Sequence, residues 1–114
     1  MSSVVQYVVI NREILSHGPG TLASQAAHAS VAGYLLSAET DHARAWAQGI
    51  FTKIVLTVET ETALRELSAR LLSAEITHKL IEESRLGGKA TAIGIAPLPK
   101  ADLSKLLGHL SLLK

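Results

Sequence analysis

The sequence predicts an α/β fold: a single domain over residues 1–114, with a mixed four-stranded sheet covered by helices. Three observations carry that expectation. Short apolar, β-branched runs alternate with helical patterns along the chain. The first of these runs is followed by a glycine-proline turn and then by a long stretch of small residues suited to a helix lying close on a sheet. No repeat, low-complexity segment or shift in composition divides the 114 residues, and a 47% hydrophobic content supports one core.

Residues 4–10 read as a buried strand, and His17-Gly18-Pro19-Gly20 as a tight loop. A helix is expected over 21–37, packed on the sheet through Ala23, Ala27 and Val31, with the Thr21 hydroxyl available as its cap. A short second helix follows over 39–48, and 52–58 reads as a strand buried on both faces. Thr60-Glu61-Thr62 caps an amphipathic helix running to about residue 74, whose core stripe is Leu64, Leu67, Leu71 and Leu72. Residues 77–83 form the third strand, with His78 and Leu80 on one face and Lys79 and Ile81 on the other, ended by Gly87-Gly88. Residues 91–96 form the fourth, Pro97 and Pro99 terminate it, and a last helix spans 101–110 with Asp102 in its first turn.

Composition narrows the chemistry. Without cysteine there is neither a disulfide framework nor a thiolate metal site, so an intracellular, cytoplasmic setting is expected. Met1-Ser2-Ser3 offers no basic leader region, and no apolar run approaches a membrane span. His17, His42, His78 and His109 lack the short spacings of a metal site, and no glycine fingerprint or phosphate loop is present, so no metal or cofactor is expected. A GxSxG elbow is absent too. Tyr34 and Trp46 have the rings to stack on a base, but a lone aromatic in a small domain more often packs a core. The net charge of +1 supplies a weak field for a nucleic acid. Local clusters soften that objection, since Arg85 and Lys89 flank the glycine pair and Lys100, Lys105, His109 and Lys114 gather near the end.

The stretch with most chemical content is Gly20-Thr21-Leu22-Ala23-Ser24-Gln25-Ala26-Ala27-His28-Ala29. Thr21, Gln25 and His28 fall along one helical stripe at spacings of four and three. On the pattern alone, a lone helical histidine more often serves structure than proton transfer.

Taken in order, Gln6-Tyr7-Val8-Val9, the run from Gly20 to Ala29, Trp46 to Gly49 with Lys53-Ile54-Val55-Leu56, Thr91 to Pro99, and Gly108-His109-Leu110 resemble the type II peptidyl-tRNA hydrolase family over nearly the whole chain. His78-Lys79-Leu80 and Pro97-Leu98-Pro99-Lys100 resemble its divergent branch of peptidyl-tRNA hydrolase domain-containing proteins. The resemblance implies the same α/β architecture, a homodimer, and His28 at the family's active-site histidine. Glu83 is the nearest match to a family aspartate at the end of the third strand, one methylene longer, and Thr91 matches a family site threonine. Gly20, Thr21, Gln25 and Lys89 are the candidate substrate-binding residues. Two departures accompany these matches. The family's lysine after the glycine is Thr21 here, and its glycine-arginine-threonine-glutamine loop is replaced by the shorter stretch from Arg85 to Ala90.

The resemblance therefore implies hydrolysis of the ester joining a peptide to tRNA, with His28 activating water, Glu83 orienting it and Thr91 bonding the substrate. Lacking the family's cation, such a site is expected to act weakly or not at all. The alternative is a non-catalytic binding protein on the same fold, recognising RNA, an acyl-amino acid or a protein. A small regulatory module holding an amino acid at a dimer interface is a third reading, since alternating elements are common to many folds.

Overall fold

The computed structural model describes residues 3–114. Met1 and Ser2, on which the expectation of no leader partly rested, lie outside the described residues. The elements are β1 (Val4–Asn11), a 3₁₀ segment (Arg12–His17), α1 (Pro19–Ser37), α2 (Asp41–Gln48), β2 (Lys53–Val58) and α3 (Glu61–Ser73). They continue with β3 (His78–Glu83), a 3₁₀ turn (Ser84–Leu86), β4 (Lys89–Ile95), β5 (Leu98–Pro99), α4 (Lys100–Leu107) and β6 (Ser111–Leu112). Among the described residues no helix is long and apolar enough to cross a membrane.

The sheet has six strands rather than the expected four, because β5 and β6, two residues each, add to the four anticipated ones. Segments that short carry no periodicity to read. Strand order is β3-β4-β1-β2-β6, with β5 paired to β1. Only β1 and β2 run parallel, joined through α1 and α2, and the other pairings are antiparallel. Alternation along β1 feeds two cores: Val8 and Ile10 pack under α1 with Ile14, Ala29, Ile81 and Ala92, whereas Val9 packs on the opposite face with leucines of α3 and α4.

The helix α1 differs from expectation in start and in face. It begins at Pro19, with Gly18 as N-cap at φ 94° and no side-chain cap bond, so Thr21 lies inside the first turn and does not cap. Its buried residues are Gln25, Ala29, Gly33 and Ser37, while Ala23 and Ala27 are exposed and Val31 is 57% exposed. Small residues occur all round this helix, so their periodicity could not select a face. The sheet selects it. Gly94 of β4 lets the backbone of α1 come so near that a Cβ added at Gly94 would stand 1.7 Å from the Ala29 carbonyl oxygen. A Cβ at Gly33 would stand 2.8 Å from the Gly94 carbonyl.

Buried Gln6 fastens the same contact, donating from Nε2 to the Ser30 and Ile95 carbonyls at 2.9 and 3.1 Å and accepting from the Ser30 hydroxyl. On the other face Leu64, Leu67 and Leu71 of α3 are buried as expected, but Leu72 is 74% exposed. Leu72 follows Leu71 by about 100° around the helix, which carries it past the edge of the stripe.

Candidate active site

Two adjacent glutamates at the end of β3 go to opposite faces of the sheet. Leu80 packs on the α3 side and Ile81 on the α1 side, so alternation sends Glu82 to Arg65 of α3 and Glu83 to Gln25 of α1. On β4 the alternation is broken. Ile81 pairs with Ala92 and Glu82 with Ala90, leaving Thr91 as the extra residue of a β-bulge. The bulge turns the Thr91 hydroxyl toward α1, where a regular strand would have aimed it at the other core.

These placements build a buried polar chain. The Thr91 hydroxyl donates to Gln25 Oε1 at 2.5 Å, and Gln25 Nε2 donates to Glu83 Oε1 at 2.8 Å. Thr91 and Gln25 are both fully buried. The amide has one satisfactory orientation: reversed, its carbonyl would face the Glu83 carboxylate, acceptor against acceptor. Glu83, its side chain 13% exposed, stands where this chain reaches the surface. Its Oε2 accepts from the Arg85 backbone N–H at 3.0 Å, and the Arg85 guanidinium approaches both carboxylate oxygens at 3.4 Å. The Arg85 N–H first, then its guanidinium and the Gln25 amide, hold the Glu83 carboxyl down to about 2. Glu83 is thus an anion at neutral pH with too little basicity to take a proton from water.

His28 lies three residues after Gln25 on α1, exposed, and among the described residues its ring has no hydrogen-bond or ion-pair partner. Thr21, half-buried, precedes Gln25 by one turn. Gly20 is exposed, with nothing within 4 Å of where a Cβ would stand, so no steric demand requires glycine there. Lys89 turns away from this group: its ammonium lies 3.0 Å from Glu13 and 3.9 Å from Glu61. The structure therefore joins Gln25, Glu83 and Thr91 directly, sets Thr21 and His28 on the same helix, and engages Lys89 elsewhere. Thr91 and Gln25 have no surface with which to touch a substrate. Concavities of about 770 and 670 Å³ are lined by none of these seven residues.

Three other residues singled out in the sequence, His78, Trp46 and Tyr34, have structural partners. His78 sits between the Ser68 hydroxyl at 2.7 Å and the Ile76 carbonyl at 2.8 Å. Trp46 donates to the Thr52 carbonyl at 2.8 Å and packs against Tyr34 and Phe51. Among the described residues there is no group of three His, Cys, Asp or Glu side chains able to hold a metal ion. Sequence reasoning missed the Thr91 bulge, which needs no special residue type and leaves no signal. It also gave Arg85 no individual role, although its place two residues after Glu83 was visible.

The depressed carboxyls carry a prediction about acid stability. Glu13 is lowered mainly by Lys89 and Asn11, and Glu61 mainly by the Ala90 N–H and Arg65. A carboxyl whose folded value lies below its ordinary 4.5 adds stability above that pH and loses it as pH falls toward the folded value, about 2 for Glu83. The urea midpoint should therefore be flat above about pH 5 and drop between about 4.5 and 2, and Glu83→Gln should shrink the drop. An unchanged drop in Glu83→Gln would contradict the assigned hydrogen bonds.

The model of the family described as peptidyl-tRNA hydrolase PTH2 matches residues 4–113. PTRHD1 of Mus musculus is 34% identical over 119 residues, covering 97% of this chain and 83% of its own length. The peptidyl-tRNA hydrolase of Halobacterium salinarum is 33% identical over 112 residues, covering 95% and 99%. A solved Agrobacterium protein of unknown function, Atu0240, superposes over 100% of both chains with a TM-score of 0.66 at 14% identity, a likeness of fold alone. With a family match spanning nearly every residue and relatives a third identical along their length, this chain belongs to the peptidyl-tRNA hydrolase PTH2 family.

Proposed function

We propose that this protein is a slow peptidyl-tRNA hydrolase acting at the surface where α1 meets the end of β3. The observation that carries the reading is the buried Thr91–Gln25–Glu83 chain, which fixes an ionised carboxylate on the face of α1 that also holds the His28 turn. Buried polar chains of this kind are kept fully satisfied, and this one ends at a surface anion rather than in the core.

In this mechanism the His28 imidazole takes a proton from water as the water oxygen bonds to the ester carbonyl carbon. The tetrahedral centre then expels the tRNA 3′ oxygen, which receives the proton back from the imidazolium. Glu83 stays ionised and favours the imidazolium electrostatically. Gln25 and Thr91 act as positioning residues, and Thr21 and Gly20 border the substrate. Lys89 steadies the start of β4 through Glu13 and Glu61 instead of contacting substrate. No lysine or arginine from α1 is available for the oxyanion, a loss worth roughly 10²–10³ in rate. That loss favours a second reading, a non-catalytic RNA-binding or acyl-amino-acid-binding protein on the same fold.

We further propose a cytoplasmic homodimer working in translation. Val31, Leu35 and Leu36 expose an apolar face on α1, suited to burial against a second copy.

The test is peptide release from purified peptidyl-tRNA by native protein and by His28→Ala. Slow release above background that falls at least about tenfold in the variant supports hydrolysis. Equal release by both proteins transfers the site to the binding reading. Light scattering on the same preparations reads the dimer, and a monomer at micromolar concentration defeats it.

A further inference from the structure

Beside Glu83 stands a cation that is firmly mounted yet loosely paired. Arg85 sits at the centre of the 3₁₀ turn Ser84–Leu86. Leu86 anchors that turn in the core beneath α1, against the cluster that also holds Leu22 and Ala26. The Gly87 N–H closes it on the Ser84 carbonyl at 3.1 Å, with Gly87 at φ 70°, and the Gly88 N–H bonds the Glu83 carbonyl at 3.0 Å. The backbone under Arg85 is therefore set. Its side chain is 78% exposed, and both guanidinium contacts to Glu83 are 3.4 Å, long beside the roughly 2.7–2.9 Å of a strong charge-assisted bond.

Neighbouring cations differ. Arg65 is locked at 3.0 Å to Glu61 and 2.9 Å to Glu82, and Lys89 lies 3.0 Å from Glu13. An exposed ion pair with long contacts contributes little and yields readily to a better partner. Glu83 does not depend on it for its position, because the Arg85 backbone N–H and the Gln25 amide hold the carboxylate independently. Nη1 of Arg85 makes no bond to Glu83, so one edge of the guanidinium is already free for an incoming anion.

We propose that Arg85 is the phosphate-binding residue of this site, its guanidinium leaving Glu83 to take a backbone phosphate of the RNA strand that the site receives. The fork of N–H donors matches phosphate oxygens in pairs, as a lysine would not. This assignment rests on the peptidyl-tRNA reading above. It makes Arg85 a substrate-binding residue, and the freed Glu83 keeps its negative charge toward α1 while the phosphate is held.

The test is tRNA binding by fluorescence anisotropy across a salt series, with native protein, Arg85→Gln and Arg85→Lys. Circular dichroism checks that the variants remain folded. Arg85→Gln should weaken binding and lower the slope of log affinity against log salt by about 0.7–0.9, one phosphate contact, while Arg85→Lys keeps most of the slope. Inorganic phosphate at millimolar concentration should compete poorly, and efficient competition would instead make this a site for the free ion. Tight native binding with an unchanged slope in Arg85→Gln overturns the role of Arg85 and leaves the tRNA reading standing. Absence of native tRNA binding overturns both.

Discussion

Gly94→Ala is expected to destabilise the protein by about 3 kcal/mol or more, at the upper end of what overpacking a core costs. The added Cβ would lie 1.7 Å from the Ala29 carbonyl oxygen and 2.4 Å from its carbon. These are backbone atoms in the middle of a nineteen-residue helix, so no side chain can rotate to relieve the clash. Relief requires α1 to lift from the sheet, which would loosen the Gln6 bonds to Ser30 and the Gln25 bond to Glu83. Gly20→Ala is the matched control. It adds the same methyl group inside the same helix with nothing within 4 Å, and removing a helical glycine gains up to about 1 kcal/mol. Urea midpoints would compare the two directly. A Gly94→Ala midpoint equal to native would show that α1 does not press on β4 as described.

That contact also explains where the sequence was legible and where it was not. The order strand, glycine turn, small-residue helix pointed to a helix lying close on a sheet, and it does. Which face it buries depended on Gly94, some sixty residues away in sequence, and on a polar residue being acceptable inside. Gln25 is tolerated there because both ends of its amide are satisfied by Thr91 and Glu83, partners that are neighbours only after folding. Glu83 rather than Glu82 could be favoured beforehand only through the family resemblance; strand alternation separates the two, but which of them faces α1 follows from where Leu80 and Ile81 pack. The direction of Thr91 could not be foreseen, because it follows from a bulge. Lys89 illustrates a further limit: a lysine beside a glycine pair looks available for RNA until Glu13, far away in sequence, is brought to its ammonium.

Thr21→Lys is expected to raise peptidyl-tRNA turnover by about 10²-fold, the scale of restoring one charged stabiliser at an ester-hydrolysing site. Position 21 is in the first turn of α1, one turn before Gln25 and hence on the side of the helix that bonds Glu83. An ammonium there would have the reach to meet negative charge developing on the ester oxygen, which a threonine hydroxyl meets only as a neutral dipole. Opposing effects are smaller. A positive charge at a helix N-terminus works against the helix dipole by about 0.3–1 kcal/mol, and no acidic residue in that turn offsets it. One retained stabilising donor is worth about 2.7–4 kcal/mol in the transition state, so the catalytic gain should prevail. Thr21→Gln provides length without charge and should leave turnover near the native value. Should Thr21→Lys change neither turnover nor RNA affinity, the shortened stretch from Arg85 to Ala90 becomes the cause of slow chemistry. Native turnover of about 1–10³ per second would show the cation to be dispensable, with Arg85 the first residue to examine as its replacement.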